Sequence, residues 1–425
     1  VLESTPVSDQ LAAVREDPLR VLVVGAGVAG LTLAGLLRRR GLHPVVLERS
    51  GPDAGAGYML ALMPLVDPVL AALDLTEEYA RRGVPLARYR IRGRTGATLR
   101  EYQMSRLLAR FGDYRGISRG GMLGVLGSPG PAVSHRATVS AIEQDADVVR
   151  AVIEDGSGAA VTGEFDLVVA ADGLHSATRG LVLGDDGVSG FDSGWGGWVG
   201  WLPPDRDHDL GEELWGDGTF IGTYPVEDRL GFIVCGPRAD TRVGPRRFAG
   251  RARAAFASPG QRVRDALDVL DRAEPDECYF WSLVDRRAAT WSVGRVALLG
   301  DAAAGFLPTA GIGAGMAMES AWVLDGHLGG HLDGHPSAAG RERISVALRD
   351  YEAHQRPRVE AAQENSRQLA RLMFRGGRPF AFARDLAARF VPLGVALRPI
   401  QRLLVERPTL GAAAPAGSSP GYRTG

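Results

Sequence analysis

The chain has 425 residues, 45% of them hydrophobic, and a formal net charge of −1, enough for two domains or one elaborated α/β domain. The near-neutral balance, with no basic run interleaved with aromatics, excludes a global pull toward nucleic acid or an acidic membrane surface. Cys235 and Cys278 lie far apart, lack metal-ligand spacing and fit structural thiols in a reducing compartment, and lysine is absent throughout. No apolar run reaches the roughly 18 residues that span a bilayer. The first residues, VLESTPVSDQ, lack the apolar core of a signal peptide, so a cytoplasmic protein without membrane insertion is expected.

In chain order, residues 1–18 read as a short helical arm. Val21 to Val24 then form a continuous apolar run, as a buried parallel strand does, followed by Gly25, Gly27 and Gly30 in G-x-G-x-x-G spacing. Leu33, Leu36 and Leu37 fall at helical spacing, with Arg38 to Arg40 at the helix end and Gly41 to stop it. In such a unit Gly25 permits the tight turn, Gly27 lets a pyrophosphate approach the backbone, and Gly30 lets helix and strand pack closely. A second strand, Val45 to Leu47, ends in Glu48, placed to accept from an adenosine ribose hydroxyl. A dinucleotide is expected here, NAD and FAD being equally compatible.

Beyond Glu48, Gly51 to Gly57 reads as a glycine-rich loop, Tyr58 to Leu65 is apolar, and Pro64 to Leu75 has helical spacing. Arg119 opens a helical pattern through Met122, Leu123 and Leu126, a spacing compatible with a phosphate ligand and with a surface arginine alike. Thr138 to Gln144, Val148 to Glu154 and Ala160 to Glu164 predict a β-meander, and Leu167 to Ala171 a buried strand ending in Asp172-Gly173. From Gly187 to Trp281 tryptophans and alternating strands predict an antiparallel sheet. On continuous strands Trp195 and Trp201 share a face opposite Trp198, and Phe220 shares one with Tyr224. Arg295 to Leu299 predicts another buried strand, ending in Gly300-Asp301. Pro308 and the alternate glycines Gly311, Gly313 and Gly315 then lead into a helix from Met316 to about Leu324, whose bare N–H groups suit an electron-rich atom or anion. A polar helix from Arg343 to Phe374, interrupted at Pro357, and a basic amphipathic stretch from Pro379 to Leu404 follow, and residues after Thr409 read as disordered.

Three of these segments occur in a fixed order: G-A-G-V-A-G with Glu48, D-G-L-H-S-A-T-R from Asp172 to Arg179, and G-D-A-A-A-G-F-L-P-T-A-G-I-G from Gly300 to Gly313. Together they resemble the fingerprints of the single-component FAD-dependent aromatic hydroxylases, over about Val21 to Phe374. The resemblance implies an α/β fold: a Rossmann-like FAD-binding domain of the glutathione-reductase type, p-hydroxybenzoate-hydroxylase-like, with an antiparallel β-sheet substrate domain and C-terminal helices. The FAD-binding domain is expected over 19–186, with a substrate-side insertion near 58–115, and again over 285–375. The substrate domain is expected over 187–284, a C-terminal helical segment over 376–410 and a disordered tail over 411–425.

The same resemblance implies FAD, with Gly25, Gly27, Ala29, Gly30, Glu48 and Arg49 at its ADP portion. Arg119 matches the family's flavin-binding arginine, Asp172 and Arg179 its dual FAD and nicotinamide motif, and Asp301 the residue at the ribityl chain and pyrophosphate. Pro308, Gly311, Ile312, Gly313 and Ala314 would face the isoalloxazine ring, with Pro308, Gly311 and Gly313 at the reacting end. Trp201 and Tyr224 are expected to line the substrate pocket, and no metal site is expected. NADPH or NADH would reduce the flavin, O2 would add to it, and the resulting hydroperoxide would hydroxylate or epoxidise an aromatic or polyketide-like small molecule of secondary metabolism. Departures from the family pattern fall at Ala304, where histidine is usual, and at Ile312 and Gly315. They keep open an alternative, a non-redox FAD-containing cyclase of a polyketide pathway. A flavin-dependent halogenase would need a lysine, which this chain lacks. A monomer or homodimer is expected.

Overall fold

The computed structural model describes residues 4–52, 57–256, 259–274, 277–332, 339–390, 394 and 397–408; the predicted disordered tail and part of the Gly51 to Gly57 loop lie outside them. A six-stranded sheet forms the base, in the order Ser292–Val293, Val296–Leu298, Leu167–Ala170, Val21–Val24, Val45–Glu48, Ser134–His135. Val21–Val24 pairs in parallel on both sides and is buried throughout, which accounts for its unbroken apolar run. Along it Val21 and Val23 join the core under the helices, whereas Leu22 and Val24 join the core under the meander. The meander is a separate three-stranded sheet of Thr138–Gln144, Val149–Glu154 and Ala160–Phe165. The N-terminal arm is the helix Val7–Val14. Its buried Gln10 bonds both the N–H and the carbonyl of Val46, at 2.8 and 3.1 Å, completing hydrogen bonding that the sheet leaves open there.

A second, seven-stranded sheet stands against this base, in the order Tyr279–Val284, Asp192–Leu202, Arg229–Pro237, Phe220–Val226, Leu210–Trp215, Arg88–Arg92, Thr98–Gln103. Its last two strands come from the segment near 58–115, and Arg88–Arg92 joins Leu210–Trp215 in parallel. Strand alternation sorts the tryptophans. Trp198 packs on one face among Phe248, Leu267 and Phe280, beneath the helices Pro245–Ala254 and Gln261–Arg272. Trp195 faces the other way and stacks on Phe374 at 4.5 Å, and Trp201 shares its face.

One helical expectation is corrected. Arg343 to Phe374 does not break at Pro357, since a continuous helix runs from Ala339 to Met373 through the proline. A proline inside a helix costs about 3 kcal/mol, and tertiary anchors on both sides offset it. Gln355 bonds Glu319 and Ser320, Arg358 bonds both Glu319 oxygens, and Gln363 and Ser366 bond the carbonyls of Gly305 and Leu307. The preceding helix is longer than its apolar pattern, Gly313–Leu332, and packs on Val28–Arg39. The C-terminal amphipathic stretch contains the helices Arg378–Phe390 and Arg398–Val405. No described helix is long and apolar enough to cross a membrane.

Candidate active site

Gly25 leaves its strand with φ +108°, and a Cβ there would lie 2.4 Å from the Ala171 carbonyl oxygen. Gly30 sits on the first turn of the helix Val28–Arg39, where a Cβ would lie 1.9 Å from the Gly25 oxygen. Both glycines are therefore required by packing within the turn. Gly27 differs, because nothing lies within 4 Å of a Cβ built there. The first intrahelical bond is Leu31 N–H to Gly27 O, so the N–H groups of Val28, Ala29 and Gly30 have no partner within the helix. Glu48 stands behind this turn: its carboxylate accepts from Ala26 N at 3.1 Å and Ser50 N at 2.9 Å.

The strand Val296–Leu298 leads to Gly300, with φ +59°, where a Cβ would come within 2.8 Å of the Ala29 Cβ. The small residues at 29 and 300 thus let the two glycine turns touch. The turn Pro308–Ala310 then leads to Gly311 in the left-handed conformation, lying close to the Ala61 carbonyl. The first bond of the following helix is Met316 N–H to Ile312 O, which leaves Gly313, Ala314 and Gly315 with free helix-start donors. Gly315, one of the departures, has a packing role: a Cβ there would press on Leu65 at 3.2 Å.

One cavity of about 1470 Å³ runs past both turns. Its lining includes Gly27, Ala29, Arg49, Arg119 and Asp172, then Asp301 and the stretch from Pro308 through Gly311, Ile312, Gly313 and Ala314. Trp201, Tyr224 and further side chains of the seven-stranded sheet line it as well. Gly25, Gly30 and Glu48, expected at the ADP portion, are not among the residues that line it; they shape the turn that does. Asp301 is exposed to the cavity, and the protein packed around that opening pushes its carboxyl up to about 6. Tyr58, beside Arg119, is pushed up to about 12 by burial and by the charge of Asp301, and its ring lies 4.7 Å from that of Trp281.

The Asp172 to Arg179 segment is internally engaged. Asp172 accepts from the Ser176 hydroxyl and from Thr178 N at 3.0 Å. Arg179 is buried and donates to the carbonyls of Ala302 at 2.9 Å and Leu174 at 3.0 Å, so it ties this strand end to the Asp301 turn. The two do not form the ion pair that their spacing allows.

The family of FAD binding domains matches residues 18–366. A 3-amino-4-hydroxybenzoate 2-monooxygenase of Streptomyces platensis is 32% identical over 368 residues, covering 82% of this chain and 87% of that protein. This chain belongs to the FAD-dependent flavoprotein monooxygenases. A second relative of the monooxygenase is an FAD-dependent urate hydroxylase of Klebsiella pneumoniae, 30% identical over 358 residues, 80% of this chain and 87% of the relative. The solved structure of Klebsiella pneumoniae HpxO complexed with FAD and uric acid matches with a TM-score of 0.77 at 25% identity, covering 92% of this chain and 97% of that one.

The monooxygenase's residues fit FAD on their own geometry. Two helix starts with free donors face one cavity, Gly27 leaves open space where a pyrophosphate would lie, and the volume exceeds the roughly 300–1,000 Å³ that suits a single small ligand. Sequence reasoning missed Glu213, Tyr89 and Tyr114, which also line the cavity. The signal available was the adjacency of Glu212 and Glu213 in a strand, since alternation must send one of two neighbouring carboxylates inward.

Proposed function

We propose that this monooxygenase hydroxylates or epoxidises an aromatic or polyketide-like small molecule, with NADH or NADPH as reductant and O2 as oxygen source. The observation that carries the reading is the single cavity joining the glycine turns to the aromatic face of the second sheet. Bound FAD would supply the redox and oxygen chemistry. The N–H groups of Val28 and Ala29, with Arg49 and Arg119, would hold the phosphates, and Asp301 would accept from sugar-chain hydroxyls. The N–H groups of Gly313 and Ala314, at the positive end of a 20-residue helix, would face the electron-rich ring edge and stabilise negative charge without a side chain. Pro308 and Gly311 would fix the loop, and Trp201, Tyr224 and the neighbouring apolar side chains would orient the substrate and exclude water. Two buried thiols, Cys235 and Cys278, suit a reducing cytoplasm, with the chain acting as a monomer or homodimer.

The test is product mass under isotopically labelled O2. One labelled oxygen atom per product, with NAD(P)H consumed in step, is the expected result. Product of unlabelled mass formed equally well without oxygen or nicotinamide would sink the reading in favour of the non-redox cyclase.

A further inference from the structure

The strand Leu210–Trp215 carries two adjacent carboxylates with opposite surroundings. Glu212 points away from the cavity and is met by Arg90 at 3.0 Å and Arg92 at 2.9 Å. Glu213 points to the cavity wall and, among the described residues, has no cation beside it. Its partners are neutral donors: the Tyr224 hydroxyl on one oxygen and the Trp215 indole N–H at 2.8 Å on the other. The Tyr89 ring packs beside them and lines the same cavity. The arrangement is built into the backbone. Gly211, two residues before Glu213 on the same face, leaves room for the Tyr89 and Tyr224 rings, which lie 3.3 and 3.5 Å from a Cβ placed there. Of the arginines lining the cavity, Arg384 commits its terminal nitrogens to the carbonyls of Trp215, Gly216 and Met373 and leaves its Nε–H without a partner.

The hydrogen-bond directions follow. A carboxylate only accepts, so Tyr224 turns its proton toward Glu213 and presents oxygen lone pairs to the cavity. A ligand carboxylate would find acceptors there and would add a second negative charge beside Glu213, whose ionisation burial already disfavours, whereas a phenolic O–H or an amine N–H would find partners. We propose that Glu213, acting through Tyr224, positions a hydrogen-bond-accepting wall that selects an uncharged aromatic substrate bearing a hydroxyl or amine beside it and rejects an aromatic carboxylate. The inference rests on the cavity being the substrate site of the proposed monooxygenase.

The experiment titrates the FAD-loaded full chain with 2-naphthol and with 2-naphthoate, matched in ring system, and reads the flavin absorbance. The naphthol should bind at least about tenfold more tightly, as expected for one hydrogen bond to a charge-oriented acceptor. Glu213→Gln, which removes the charge and adds a donor, should bring the ratio below about threefold while FAD content stays unchanged. Naphthoate binding as tightly as naphthol, or an unchanged ratio in the variant, overturns the proposal. If that variant does not retain FAD, Tyr224→Phe takes its place: the ratio must fall, and an unchanged ratio overturns it. NAD(P)H-dependent O2 uptake is recorded alongside. A binding preference without any stimulated uptake counts against the monooxygenase reading alone, and equal stimulation by both probes without a preference counts against the recognition wall alone.

Discussion

At the scale of single residues, the three glycines of the first turn do different jobs, and the structure separates them. Gly25 and Gly30 are forced by backbone contacts, whereas Gly27 has φ −77° and open space around its Cβ position. Gly27→Ala should therefore leave the FAD-free protein within about 0.5 kcal/mol of wild-type stability. The added methyl occupies the space a pyrophosphate would need, so FAD affinity should drop by about tenfold or more. Gly30→Ala should instead destabilise the FAD-free fold by about 1–3 kcal/mol, as overpacking does. Urea melts of the FAD-free variants and the flavin-to-protein ratio decide between these outcomes. An unstable Gly27→Ala with normal flavin content would reverse the assignment.

At the scale of elements, the long helix Ala339–Met373 holds the flavin-side loop and the second sheet together. Gln363 and Ser366 bond the carbonyls of Gly305 and Leu307, and the Thr309 hydroxyl bonds the Ser366 carbonyl at 2.7 Å. One turn on, Arg367 grips the fully buried Asp285 at 2.7 and 2.9 Å, and Asp285 also accepts from Phe191 N at 2.8 Å. Arg367→Met would strand that carboxylate without its cation and should cost about 3–5 kcal/mol. The denaturation midpoint should fall accordingly. A midpoint equal to wild type would mean that this ion pair does not clamp helix to sheet. The same anchoring accounts for the helix's passage through Pro357, where local propensity alone would end it.

At the scale of the whole molecule, the cavity is lined by the ends of both sheets, and Asp301 is exposed on its wall with its carboxyl raised from 3.8 to about 6. Such a group holds its proton more tightly folded than unfolded. Its contribution to stability is complete below its ordinary value, is lost as pH rises through the folded value, and stays lost above it. Water in the open cavity moderates the effect. Thermal melts of FAD-free protein from about pH 4 to about pH 7 should show a decline that is shallower in Asp301→Asn, where Asp67, also pushed up to about 6 by burial, still titrates, so the variant gains on wild type as pH rises. Parallel profiles for the two proteins would show that the carboxyl is hydrated in place and its proton affinity ordinary.

The chain sequence alone determined the features that arise within a few residues of one another. The apolar run into Gly25, the spacing to Gly30, the presence of a helix after each glycine turn and the opposite facing of Trp198 and Trp201 all follow from backbone sterics and side-chain periodicity, which act locally. The order of three such segments was enough to indicate the family. Tertiary structure decided what depends on partners distant in sequence. Nothing near Arg88 foretells its strand's parallel pairing with Leu210–Trp215, and nothing near Arg179 foretells that its guanidinium turns to Ala302 and Leu174. Nor does the pair Glu212-Glu213 say which carboxylate meets arginines and which meets the cavity. Pairing, burial and the charge left uncompensated are properties of the packed molecule, because the free energy of each contact depends on what the rest of the chain places beside it.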